Sequence, residues 1–332
     1  MKEKRINLGI QIVRMIFSFH ILLFHCINKK LYRSKTMIAI ISDVNIDLGV
    51  FFIISFYYSY NSFIIKNLVK IKQRFYRLLI PYIIWPLIFF SINNFIFYIY
   101  GNKKFYIKLE LLYYQLLIGN GIHIVFWFLF NLIFITIFFL IIIFISKRRY
   151  LPILIIIGLL FYIFLSSNYY KRYFSYDTIL FFSIKKIPTA YIYSLFGFIF
   201  FYLNNFVNLK QYRIKISFLS LFFFYLYLYD KHLLKIEAYF HMIRFLTCAS
   251  AFIFFLILPL HEINVNFIKI ITSYSGGIYY LHTKVKKLLE FFFKGMKSSS
   301  FTVCIINYLL CYLICLIGSK IFKKVSLRYL FE

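Results

Sequence analysis

The sequence predicts an all-α polytopic membrane protein with about ten transmembrane helices. Three observations carry that prediction. The 332 residues are 63% hydrophobic with a mean hydropathy of +0.81, well above the roughly 45–50% of a soluble domain. Apolar runs of about 17–25 residues, the length that crosses a hydrocarbon core, recur along the chain. Lys and Arg fall mostly in the short segments between those runs, where topology and lipid head groups place them. The net charge of +29 is therefore a membrane signature, and no nucleic-acid partner is expected. The 46 Phe and 31 Tyr share AT-rich codons with Ile, Lys and Asn, so the aromatic excess does not by itself mark aromatic binding sites.

The expected spans are 8–27, 46–65, 78–100, 122–145, 150–167, 187–206, 214–230, 239–260, 267–283 and 300–321. The first follows Met1-Lys2-Glu3-Lys4-Arg5, a start like that of a signal peptide. It is too long, carries Arg14 and has no small-x-small cleavage site, so it reads as an uncleaved span. The second opens near Asp47, and the third follows the basic stretch Lys70–Arg77. The fourth is led by Gly119-Asn120-Gly121, which allows a re-entrant or broken start. The fifth, seventh and ninth are short, the eighth encloses Arg244, and the tenth holds three cysteines. Segment 105–118 is apolar but contains Lys108 and Glu110, and reads as an interfacial helix. No repeat or linker divides the chain, so a single transmembrane domain over 1–332 with no appended soluble domain is expected. An even number of spans places both termini on one side. The distribution of Lys and Arg puts that side in the cytoplasm, in a multi-pass protein of the cell membrane.

Arg14 and His25 are the costliest residues of the first span. Ionisable groups inside a span face polar cavities and mark functional sites. Eleven residues are three turns plus about 20°, a rise of about 16 Å. The two therefore share one stripe, near opposite ends of the span and too far apart to touch. His20 lies roughly 120–140° away and faces something else. Asp47 lies near the outer end of the second span, at the level of His25. Arg74 and Arg77, at i and i+3, point the same way on a helix. Paired guanidiniums suit phosphate through parallel hydrogen bonds, and the alternative is a topology-setting basic loop. His282 is a second intramembrane histidine, for which interhelical hydrogen bonding and catalysis both stand. His232, His241 and His261 fall at span ends. Cys26, Cys248, Cys304, Cys311 and Cys315 form no Cys-x-x-Cys pair and read as small buried hydrophobes, with neither metal nor disulfide framework.

Five motifs occur in order. Arg14, ten residues and His25 come first, then Gly-x-Phe-Phe-x-x-Ser ending at Ser55. Arg-x-x-Arg (Arg74, Arg77) leads into Leu-x-x-Pro ending at Pro81. Trp127-Phe128-Leu129 follows, and Ser-x-x-Ile-Tyr-x-x-His ends at His282. Over nearly the whole chain this series resembles the membrane-bound acyltransferase-3 family. The resemblance implies an O-acyltransferase, often an O-acetyltransferase. Such an enzyme moves an acyl group from cytoplasmic acyl-CoA to a hydroxyl of a surface polysaccharide or lipid-linked glycan. On that reading no cofactor is bound permanently, and acyl-CoA is the donor substrate. A glycan or glycolipid is the acceptor, and membrane lipids are the surroundings. His25 would be the general base or a transient acyl carrier. Arg74 and Arg77 would hold CoA phosphates, Arg14 would draw the donor inward, and His282 would orient His25 or the acceptor. The chain departs from the family pattern at Phe56, where glycine is usual, and at Val125, where histidine is usual and His123 stands two residues earlier. Those departures raise a further alternative, an inactive member. The competing class is a polysaccharide polymerase, flippase or transporter, which has no need of a CoA grip.

Overall fold

The computed structural model describes residues 7–26, 44–101, 103–122, 124–146, 149–166, 182–204, 206–229, 237–258, 272–292, 301–322 and 326–331. Among them are twelve α-helices and no strand. In chain order these are α1 (Leu8–Cys26), α2 (Val44–Ile64), α3 (Leu68–Tyr100), α4 (Leu109–Ile118), α5 (Trp127–Ser146) and α6 (Tyr150–Ser166). They continue with α7 (Phe182–Lys185), α8 (Ile187–Asn204), α9 (Arg213–Tyr229), α10 (Glu237–Ile257), α11 (Ser275–Phe292) and α12 (Phe301–Ile321). Each expected span has a helix. Five of the described helices, α1, α3, α5, α8 and α12, are long and apolar enough to cross a bilayer by length and composition. Large apolar side chains stay exposed along several of them, such as Ile145 and Phe95, as expected where the solvent is lipid. His123, His232, His261 and Glu262 lie outside the described residues.

Three boundaries differ from the sequence reading. α3 begins ten residues before the expected third span, so the stretch Lys70–Arg77, read as a loop, is helical. The cause is local. Asn67 caps the helix, its side-chain oxygen accepting from the Lys70 amide at 3.1 Å, the standard way of satisfying an open first-turn donor. At 33 residues the helix is about 50 Å long, more than the hydrocarbon thickness of about 30 Å, so its basic first turns extend past the apolar span. The helix of the ninth expected span, α11, is shifted toward the C-terminus, to Ser275–Phe292, and takes in Lys284, Lys286 and Lys287. Segment 105–118 divides into a 3-10 turn at Lys103–Phe105 and the ten-residue α4.

The chain clusters into two compact units. The first comprises residues 1–58, 196–318 and 331–332. In it α9 packs on α10, and α1 packs on both α10 and α11. Asn7 fixes the start of α1 twice. Its Oδ1 accepts from the Ile10 amide at 3.0 Å, and its Nδ2 donates to the Leu256 carbonyl at 2.7 Å. A Cβ at Gly9 would run into the Phe255 carbonyl, so only glycine permits α1 and α10 to cross this closely. Phe56, where the resemblance implies a glycine, is fully buried here.

The second unit comprises residues 59–195 and 319–330. α3 is its axis, packing against α4, α5 and the 3-10 turn Ser326–Leu330. Pro81 and Pro86 lie inside α3, and each withholds an amide from the carbonyl four residues earlier. Side-chain bonds tie the helix down around them. Tyr82 donates its hydroxyl to the Gln115 and Leu116 carbonyls at 2.9 and 3.0 Å. Trp85 Nε1 donates to the Leu330 carbonyl at 3.0 Å. Val125 is buried in the same unit.

Candidate functional site

The first unit brings together the two histidines that the sequence singled out. His25 near the end of α1 and His282 in the middle of α11 have ring centroids 5.0 Å apart, inclined by 42°. The two rings are neighbours, but no hydrogen bond between them is made to His282 Nε2 among the described residues. His282 is buried. Its Nδ1 donates to the Ile278 carbonyl one turn back, at 3.3 Å. With Nδ1 protonated, the neutral ring carries its lone pair on Nε2. That Nε2 is buried and makes no hydrogen bond among the described residues. A buried acceptor without a donor is costly, and its natural complement is an N–H or O–H brought to it.

The surroundings hold this pair in place. Asn307 of α12 donates to the His282 carbonyl at 2.9 Å, and the Cys311 thiol donates to Asn307 Oδ1 at 3.4 Å. Lys286, one turn beyond His282, donates to the His25 carbonyl at 2.7 Å and pairs with Glu290 at 3.6 Å. A cation at the C-terminal carbonyls of α1 also complements the helix dipole. A Cβ at Gly277 would sit 2.6 Å from the Phe331 carbonyl oxygen and 2.5 Å from Cys315 Sγ. The glycine thus lets α11 lie close against α12 and the last residues.

Arg14 is half-buried on α1, and its charge acts on the hydroxyls of Tyr58 and Tyr280. It therefore lies among α1, α2 and α11 in the same unit. The buried Asp47 carboxylate, read from the sequence at the level of His25, pairs with His20, Oδ2 to Nδ1 at 2.5 Å. The helical angle that turned His20 away from the Arg14–His25 stripe points it at α2.

Arg74 and Arg77 belong to the second unit, and their side chains make different contacts. The half-buried Arg74 guanidinium donates from Nε to Thr136 Oγ1 at 3.1 Å and from Nη1 to Ser59 Oγ at 2.6 Å. It also lies over the Phe63 ring at 5.6 Å. Arg77 is exposed, with its guanidinium 5.6 Å from the Tyr329 ring centroid. Arg74 is built into the helix packing, whereas Arg77 is open to a partner. Cys248, Cys304, Cys311 and Cys315 are buried. No group of metal-binding side chains occurs among the described residues.

Sequence reasoning missed Lys286, Asn307 and the His20–Asp47 pair. Lys286 carried a signal, standing four residues after His282 and so on the same helix face. Asn307 is a polar residue inside an apolar helix, a signal of the kind that singled out Arg14.

Long apolar helices define an all-α integral membrane protein, in which His25 and His282 lie side by side. The family model described as an acyltransferase domain matches residues 7–328, and the chain belongs to this acyltransferase-3 family. It is a membrane acyltransferase. Comparison with curated proteins and with solved structures returns no match.

Proposed function

We propose that the protein is an O-acyltransferase that moves an acyl group, in the simplest case acetyl, from acyl-CoA to a hydroxyl of a surface or lipid-linked glycan. The observation that carries the reading is the His25–His282 pair, in a chain whose family performs acyl transfer. The acceptor oxygen attacks the thioester carbonyl, the C–O bond forms, and the C–S bond breaks. His25 takes the hydroxyl proton during attack and returns it to the departing thiolate, so CoA leaves as the thiol. An imidazole with an ordinary pKa near 6.5 suits that exchange around neutral pH. His282 receives an N–H of His25 on its open Nε2. This presents the other nitrogen of His25 to the substrate and steadies the imidazolium while it exists. Arg14 attracts the anionic donor. Arg77 binds a CoA phosphate from its exposed position, and Arg74 holds the helix that presents it. With both termini in the cytoplasm of a cell-membrane protein, the donor arrives from inside and the acceptor from outside.

The test is acyl incorporation into surface glycan, read by mass spectrometry, in cells deleted for the protein and complemented with wild type or His25→Ala at matched expression. Ester groups that depend on wild type and vanish with His25→Ala are expected. Wild-type acylation by His25→Ala would overturn the assignment of His25. Glycans with no acyl ester in either strain would return the protein to the inactive class suggested by Phe56 and Val125.

A further inference from the structure

We propose that the start of α9 is a binding site for an anionic phospholipid, with the phosphate on Arg213 and one acyl chain along α9. A cleft of about 190 Å³ opens there, lined by Arg213, Ile214 and Ser217 of α9 and by Phe254, Ile257 and Leu258 at the end of α10. Its walls are apolar apart from one hydroxyl and one guanidinium. The hydroxyl is taken, since Ser217 Oγ donates to the Arg213 carbonyl at 2.8 Å. The guanidinium is open: the exposed Arg213 side chain makes no hydrogen bond or ion pair among the described residues. Its planar set of donors matches a phosphate.

Two further observations select a lipid over a small soluble anion. Below the cleft, Ile214, Phe218, Leu221, Phe222 and Tyr225 are 66%, 70%, 66%, 54% and 62% exposed. Their spacing of four, seven, eight and eleven residues makes one stripe down the helix. From Ile214 to Tyr225 the stripe runs about 16 Å, half of a hydrocarbon core of about 30 Å. That is the depth of one leaflet and the reach of one acyl chain. The stripe also begins at a strongly basic segment, Lys210-Gln211-Tyr212-Arg213-Ile214-Lys215, and the sequence has no acidic residue between Asp177 and Asp230. With the N-terminus inside, this segment meets the cytoplasmic leaflet, whose anionic lipids attract such clusters.

The test uses the purified full chain in detergent, titrated with fluorescent short-chain phosphatidylglycerol or phosphatidylcholine. Wild type should favour phosphatidylglycerol, and Arg213→Gln with Lys215→Gln should weaken it roughly fivefold per charge removed. Arg213→Lys should retain most of the preference, and Ile257→Trp, which fills the cleft, should weaken both lipids. Equal affinity of wild type for the two lipids, or an unchanged preference in the double Gln variant, would overturn the proposal. So would displacement of bound phosphatidylglycerol by micromolar CoA, which would assign the cleft to the donor. Arg213 has no part in acyl transfer, so the binding result stands apart from any activity result.

Discussion

The most informative perturbation is His282→Gln compared with His282→Ala, each alone and combined with His25→Ala. His282 presents a buried Nε2 with no hydrogen bond among the described residues, its ring oriented by the bond from Nδ1 to the Ile278 carbonyl, while Asn307 bonds the His282 main-chain carbonyl. On the proposed mechanism that nitrogen meets the N–H of a His25 ring that becomes cationic during attack. A hydrogen bond to a charged group contributes about 1.5–3 kcal/mol. Its loss therefore corresponds to roughly a 10- to 150-fold fall in kcat. KM for acyl-CoA should hardly move, because the interaction forms in the transition state rather than with bound donor. Removing the base itself should cost about 10²–10⁴. The double variant should be no slower than His25→Ala, since His282 acts only through His25 and such pairs are not additive. The assay is transfer of radiolabelled acetyl from acetyl-CoA to glycan in membranes with expression matched by immunoblot. Gln keeps a polar side chain at 282 and guards against a simple packing defect. A His282→Gln enzyme within twofold of wild type would refute the reasoning, as would a double variant slower by the product of the two single effects.

Three other outcomes follow from the same contacts. Lys286→Met removes the bond to the His25 carbonyl at 2.7 Å; a loss of about 1–2 kcal/mol should lower the melting temperature in detergent together with kcat. Asp47→Ala leaves His20 without its carboxylate and should destabilise by about 3 kcal/mol, whereas replacing both partners by apolar residues should cost less in the same thermal assay. Arg77→Gln should weaken CoA binding about tenfold with unchanged melting temperature, while Arg74→Gln should lower the melting temperature by breaking the bonds to Ser59 and Thr136; equal effects of the two on CoA affinity would restore a shared grip.

The sequence made the α-helical membrane class legible because a span must be long and apolar whatever it packs against. The same signal misplaced the start of α3. A hydropathy window ends where charges begin, but the helix does not, because Asn67 caps it ten residues earlier. His25 and His282 stood out because ionisable groups are rare in spans. Their contact could not be read, since it joins α1 to α11 across 257 positions by a route that no local period encodes. For Asp47 the depth was legible and the partner was not. Its depth in the second span matched the outer end of the first, but depth alone cannot tell His25 from His20. The helical angle can: the 120–140° between His20 and the Arg14–His25 stripe already said that two different faces of α1 needed partners.

That division of faces bears on how the site is held. One face of α1 meets α11 through His25, and another is fastened to α2 by the buried His20–Asp47 pair. The start of α1 is bound to the end of α10 through Asn7 and the close crossing at Gly9, and its end is capped by Lys286. Four attachments on one 19-residue helix fix its rotation and its axial position, the two freedoms that would otherwise carry the His25 ring away from His282. A rotation of one residue's step, about 100°, would break both histidine contacts together, so neither can slip while the other holds. The costly polar residues of the first span thus divide into a group that meets the proposed substrate, Arg14 and His25, and a pair that keeps it aimed, His20 and Asp47.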